Sequence, residues 1–181
     1  MSGTNYFSYF PSTDYSFPDG TSKTAINVFK RTAITALSNT LKSSVFYKYT
    51  IKEGERVEDL ADRYYGDTQY YWIILYANDI INIYSQWPKS YEQFQNYLIS
   101  TYGSIEDIQD ISNPDMIHHY EDADGNWISK ESWITNGSLL GYAKSIYDYE
   151  YQENENKREI FIIRREYLSQ IVNEMNLIFR S

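Results

Sequence analysis

Apolar residues along this chain follow two rhythms, one of period two and one near 3.6. The clearest short-period run is Val45-Phe-Tyr-Lys-Tyr-Thr-Ile51. It is β-branched or aromatic and alternating, which predicts a strand over 45–51. Lys52-Glu53-Gly54-Glu55 ends it as a turn. The rhythm then lengthens. Val57, Leu60, Ala61 and Tyr64 share one face of a predicted helix over 56–65, and Gly66 stands where a helix end favours positive φ. Asp67 or Thr68 can cap a second helix over 69–77, which carries Tyr71, Trp72, Leu75 and Tyr76 and ends at Asn78-Asp79. Tyr70 lies well round this helix from Tyr71, so Trp72 is expected in the core and Tyr70 at a partner contact.

Beyond the break at Trp87-Pro88, Ser90 can cap a third helix on which Tyr91, Phe94, Leu98 and Tyr102 share a face, closed by Gly103. Ser104 with Asp107 suggests an acidic capping box on a short helix. Residues 115–133 predict a hairpin. Met116–Tyr120 and Trp127–Ile128 flank the turn chemistry of Asp122-Ala-Asp-Gly-Asn126. Residues 137–144 have no clear rhythm. Ile146-Tyr-Asp-Tyr-Glu-Tyr151 alternates again, as a strand does, and the charged run 152–157 reads as a solvated loop. Glu159–Ile163 predicts a strand. Leu168, Ile171, Val172, Met175 and Ile178 mark a final helix over 166–179.

Ahead of the strand at 45, Ala25, Phe29, Ala33, Ala36 and Leu37 approach helical spacing across 24–42. Residues 1–23 set Pro11, Pro18 and Asp19-Gly20 among aromatics and predict an extended arm. Its Tyr6, Phe7, Tyr9, Phe10, Tyr15 and Phe17 could dock on a neighbour, Tyr6, Tyr9 and Phe10 being the candidate contacts, or could wrap their own domain. The fold class is therefore α+β. The organisation is an arm (1–23), a segment built round a small strand–helix–helix unit (24–88), and a helix, hairpin and strand–helix region (89–181).

Composition adds one unusual quantity, 20 tyrosines in 181 residues. A core of this size can hardly hide them all, and tyrosine is enriched at protein interfaces because its ring can be buried while its hydroxyl stays wet. The formal charge is -9, with acid spread along the chain and not gathered in a tail. That field repels phosphate backbones and argues against direct nucleic-acid binding. There is no cysteine, which removes disulfides, thiol catalysis and Cys-based zinc sites. The first ten residues lack the basic start and apolar run of a signal peptide. No stretch approaches the roughly 20 apolar residues of a membrane span.

The run from Tyr49 to Asp67, with Tyr49-Thr-Ile-Lys-Glu-Gly-Glu-Arg and Asp59-Leu-Ala-Asp-Arg-Tyr-Tyr-Gly-Asp67, followed by Tyr70-Tyr-Trp-Ile-Ile-Leu-Tyr-Ala-Asn-Asp79, resembles a LysM domain. The short return strand of that family is not plain in Ile80–Gln86. Over roughly 25–180 the chain resembles the LysM-bearing wedge proteins of T4-like contractile phage tails, the wedge protein 53 family. The match rests on Tyr64-Tyr-Gly-Asp67, Tyr71-Trp72, Asn78-Asp79, Trp87, Tyr102-Gly103, His118-His-Tyr120 and Glu153–Arg158. The resemblance implies a non-enzymatic part of a virion's tail baseplate, assembled in the host cytoplasm. It would contact other wedge proteins, join neighbouring wedges round the tail tube, and need no cofactor. In that setting Lys157 and Arg158 would pair with acidic groups on a neighbouring subunit. The alternative is a glycan-binding LysM module for peptidoglycan or chitin oligomers, using loops near Gly54–Val57 and Asn78–Asn82.

Other chemistry is weaker. His118 and His119 are the only histidines; on a strand they would face opposite ways and could not easily share a metal. Asp122, Asp124 and Gly125 match part of a calcium loop but lack its later acidic ligands. Glu58-Asp59, Glu106-Asp107 and Glu121-Asp122 are carboxylate pairs only in sequence, whereas a glycosidase needs two carboxyls across a bond. No nucleophile elbow, P-loop or dinucleotide fingerprint occurs.

Overall fold

The computed structural model describes residues 6–26, 45–135 and 141–180, and the chain divides into two compact units. The first takes the chain up to Ile51, Glu55–Gln86, and everything from Glu159 on; the second takes Lys52–Gly54 and Trp87–Arg158. The predicted α+β class is observed.

In the first unit, β1 (Ser12–Ser16) and β2 (Ser22–Ile26) form an antiparallel hairpin. Thus the region expected to be an extended arm holds a hairpin, preceded by a 3-10 turn over Tyr6–Tyr9. Of the helix expected over 24–42, Thr24–Ile26 lies in β2 and the rest outside the described residues. Strand β3 (Phe46–Thr50) leads through a turn at Gly54 (φ 67°) into α1 (Val57–Tyr65). Gly66 closes α1 at φ 80°, its N–H bonded to Asp62 O at 2.8 Å. Asp67 accepts from Gln69 N and starts the turn into α2 (Tyr71–Ala77). Residues Ile83–Gln86 form one short turn of helix, α3.

The partner of β3 comes from far down the chain. It is β7 (Glu159–Ile163), antiparallel, with Phe46 opposite Ile163 and Thr50 opposite Glu159. Its Ile160, Ile162 and Ile163 are buried, as are Ile51, Val57, Leu60, Ala61, Ile73 and Ile74. Burying a Leu or Ile side chain contributes about 1.5–3 kcal/mol, so this cluster dominates the unit. The last helix, here α8 (Leu168–Arg180), adds Ile171 and Met175, and the Tyr6–Tyr9 turn packs on it.

In the second unit, Ser90 and Gln93 form a full capping box at the start of α4 (Tyr91–Tyr102). Ser104 caps α5 (Ile105–Gln109). Phe94, Leu98 and Ile108 make the core. The predicted hairpin is present as β4 (Ile117–Asp122) and β5 (Trp127–Ile128), followed by α6 (Lys130–Thr135). A third strand, β6 (Gly141–Ser145), pairs with β4 on its other side. Gly141 is needed there, because a Cβ would fall on the carbonyl oxygen of Glu121.

The alternating run 146–151 is not a strand. It is the start of α7 (Ile146–Asn156), which also absorbs most of the charged run expected as a loop. Ser145 is buried and caps this helix through Asp148 N at 3.0 Å. Tyr147 and Tyr151, four residues apart, stack on each other and both meet Phe94 edge-on. A period-two aromatic run contains an i, i+4 pair as well, and the cap decides between them.

Candidate docking surfaces

Every residue from Pro11 to Ile26 is exposed. The hairpin is held by its own bonds. Phe17 N donates to Thr21 O (2.7 Å), Gly20 takes φ 83°, and the Thr24 hydroxyl donates to Asp14 across the strands (2.5 Å). Asp19 accepts from both the hydroxyl and the N–H of Thr21, which lowers its pKa. Among the described residues it pairs with no third strand; a two-stranded hairpin by itself is marginal in water, and a free sheet edge offers unpaired backbone groups. This one also exposes Tyr15, Phe17 and Ile26.

A second feature of the same unit is the tip 80–86. Ile81 is 93% and Tyr84 88% exposed, the two highest values among its described large apolar residues. The tip is locally ordered. Gln86 Oε1 accepts from Ile81 N (2.8 Å) and Asn82 N (2.7 Å), and Asn82 Oδ1 accepts from Tyr84 N (3.0 Å). Asp79 enters it at φ 54°. Polar side chains thus hold the backbone in a shape that carries two apolar side chains outward.

In the second unit, His118 and His119 do not face opposite ways. A bulge between Ile117 and His119 breaks the alternation. Their Nδ1 atoms lie 2.9 Å apart. His118 stacks on Tyr149 at 3.6 Å between ring centroids, and His119 stacks on Trp127 at 4.1 Å. His119 Nε2 meets Glu121 at 2.9 Å. Partial burial first, then the neighbouring His119, lowers the His118 pKa; Glu150 and Glu153 pull against this.

The residues expected at contacts are placed as follows. Tyr6 lies in the 3-10 turn. Tyr9 is buried and meets Trp72 edge-on at 5.7 Å, so it belongs to the core of its own unit. Phe10 is half-buried, 6.0 Å from Phe7. Trp72 is buried, as expected; Tyr70 is buried too, edge-on to Tyr65, where an exposed contact was expected. Arg158 is turned inward on its own unit. It donates to Glu155 (2.7 Å) and Glu53 (2.8 Å), while the other Glu53 oxygen takes Tyr91 N. Tyr91 N and Arg158 together lower the Glu53 pKa against the effect of burial. Lys157 is half-buried beside them. Ile81 and Tyr84 were not singled out in the sequence; the signal was an Ile and a Tyr in a stretch of Asn, Ser and Gln too short to pack.

Asp122 and Gly125 form the hairpin turn. Asp122 Oδ1 accepts from Asp124 N and Asn126 N, both at 2.9 Å, which lowers its pKa. Among the described residues, no group of three His, Cys, Asp or Glu could hold a metal, and no helix is long and apolar enough to cross a membrane.

A family model described as base plate wedge protein 53 matches residues 6–136. The chain is also similar to the baseplate wedge protein gp53 of Enterobacteria phage T4, 28% identical over 139 residues that span 70% of each protein.

Proposed function

This chain belongs to the base plate wedge protein 53 family, and we propose that it docks to other wedge subunits and helps join neighbouring wedges round a contractile tail tube. Its role is structural, in the tail baseplate of a virion assembled in the host cytoplasm, and no catalytic step is part of the reading. The observation that carries it is the β1–β2 hairpin, exposed throughout and, among the described residues, paired with no further strand at either edge. Such an element gains its stability by being covered. The ordered tip bearing Ile81 and Tyr84 supplies a second contact of a different kind. Several separate contacts, each weak alone, add up when the subunits are already placed beside one another.

We also read the first unit as LysM-like. Strand, helix, helix and an antiparallel return strand are present, with the return strand delivered by Glu159–Ile163 instead of by the residues just after Asn78. This supports a LysM scaffold interrupted by the second unit.

Sedimentation of the full chain with purified wedge proteins tests the reading, beside a variant lacking Ser12–Ile26 and calorimetry with N-acetylglucosamine oligomers. The full chain is expected to enter a larger complex, and the folded variant at least tenfold less. Saturable sugar binding without any uptake into wedges would replace this reading with the glycan-binding module.

A further inference from the structure

The net charge divides unevenly between the two units. The second has six basic and fourteen acidic residues, net -8; the first has ten against eleven, net -1. The spread of acid noted along the chain therefore becomes a strongly acidic unit joined to a nearly neutral one.

The three-stranded sheet of the acidic unit carries a specific arrangement. Glu121 on the central strand is paired with Trp127 on one side and Tyr142 on the other. Directly paired residues project to the same face. At about 4.8 Å per strand, the aromatic residues stand about 10 Å apart with the carboxylate between them. Trp127 is 64% and Tyr142 67% exposed. Trp127 is held in place because His119 stacks on one face of its ring. Glu121 is oriented through Oε1 by His119 at 2.9 Å; Lys144 Nζ is 3.6 Å from Oε2, too long for a direct hydrogen bond.

We propose that this row receives an arginine from a basic segment of a partner protein. A guanidinium can stack on an aromatic face while donating to a carboxylate, which a lysine ammonium does less well. The net charge of -8 draws a basic segment and repels nucleic acid. A purely apolar partner fits poorly, since Glu121, His119 and Lys144 interrupt the aromatic surface. The proposal rests on the reading that this chain docks to other subunits and names the chemistry of one contact.

The test is an NMR titration of the full chain with the peptide Gly-Arg-Gly-Arg-Gly, blocked at both ends, and with its lysine counterpart. The Trp127 indole N–H is followed, assigned through Trp127→Phe. The arginine peptide is expected to bind at least threefold more tightly than the lysine peptide and to shift that signal. Replacing both Trp127 and Tyr142 by alanine, at exposed positions, should weaken it at least fivefold. Equal binding of the two peptides, unchanged in the double variant, would overturn the proposal in favour of diffuse charge attraction. So would a response of the indole to N-acetylglucosamine oligomers alone. The titration needs no wedge protein, so its failure is distinct from failure to enter wedges.

Discussion

The side-chain amide of Asn78 exchanges two hydrogen bonds with the backbone of Phe161, 83 residues away: Phe161 N donates to Oδ1 (2.7 Å) and Nδ2 donates to Phe161 O (2.8 Å). Nδ2 also reaches Ile74 O at 2.8 Å. A primary amide has the same donor and acceptor as a peptide group, so Asn78 serves as a one-residue strand on the edge of β7. The second unit repeats the device. Asn154 is buried and pairs both ways with the backbone of Lys89, at 2.8 and 3.0 Å.

Replacing Asn78 by alanine should therefore loosen β7. Three backbone groups, Phe161 N, Phe161 O and Ile74 O, lose a bond, at about 0.5–1.5 kcal/mol each where water can replace it. Amide hydrogen exchange at Phe161 is expected to accelerate at least tenfold, and Asn78→Asp, which keeps the acceptor for Phe161 N–H but loses the donor to Phe161 O, should restore only part of the protection. Unchanged exchange in Asn78→Ala would show that β3 alone holds the strand.

Tyr70 offers a clean contrast between core and contact. Its ring is buried against Tyr65, so Tyr70→Ala should destabilise the fold by about 3–5 kcal/mol, like other large aromatic truncations. Tyr70→Phe, which keeps the ring, should stay within about 1 kcal/mol of the parent. Urea unfolding measures both, and a stable Tyr70→Ala would return this residue to the surface.

Much of the local structure could be read from the sequence, because the local rules agree with one another there. The strand at 45, the helices at 57, 71 and 91 and the turn at Asp122 each combine a rhythm with a cap or a breaker. The identity of β3's partner could not be read, since nothing near Ile51 says that its neighbour begins at Glu159. The β1–β2 hairpin was hidden for a different reason. Ser-Thr-Asp-Tyr-Ser and Ser-Lys-Thr-Ala-Ile have no buried face to impose a pattern. For the site, tyrosine abundance pointed to an interface but did not separate Tyr9 and Tyr70, which are buried, from Tyr15, Tyr84 and Tyr142, which are exposed.

His118 makes the second unit sensitive to acid. His118 binds a proton less readily in the fold than the ordinary value of 6.5, mainly through desolvation and His119. As pH falls through 6.5 the unfolded chain takes up this proton first, so stability is full above that range and declines below it. Glu150 and Glu153 oppose the shift, and Glu121 and Lys144 adjoin His119. The slope should fall well short of the ~1.4 kcal/mol per pH unit of one full proton, because solvent screens the exposed ring. Thermal midpoints at pH 7.5 and 5.5 should differ less in His118→Phe than in the parent. Equal differences would remove His118 as the cause.

Gly141→Ala should part β6 from β4, because the new methyl group meets backbone and not a movable side chain. Overpacking of this kind costs about 1–3 kcal/mol. Faster amide exchange at Tyr142 and Ala143 is the expected sign, with the first unit unaffected. If the amides stayed as protected as in the parent, the strand could yield without cost.

Ile81→Ser with Tyr84→Ser removes two large side chains that touch almost nothing of their own unit. Stability should stay within about 0.5 kcal/mol, as for surface changes generally. Incorporation into wedges should nevertheless drop severalfold. Parent-like incorporation would leave the tip without a partner.

The pairing of Phe46 with Ile163 has a consequence for how this protein comes off the ribosome. At about 5–20 residues per second, the N-terminal strand waits several seconds before its mate is synthesised. All of Trp87–Arg158 is translated within that interval, so the later stretch has everything it needs before the earlier one does. The acidic unit can mature first, and the unit that opens the chain is the one translation finishes last.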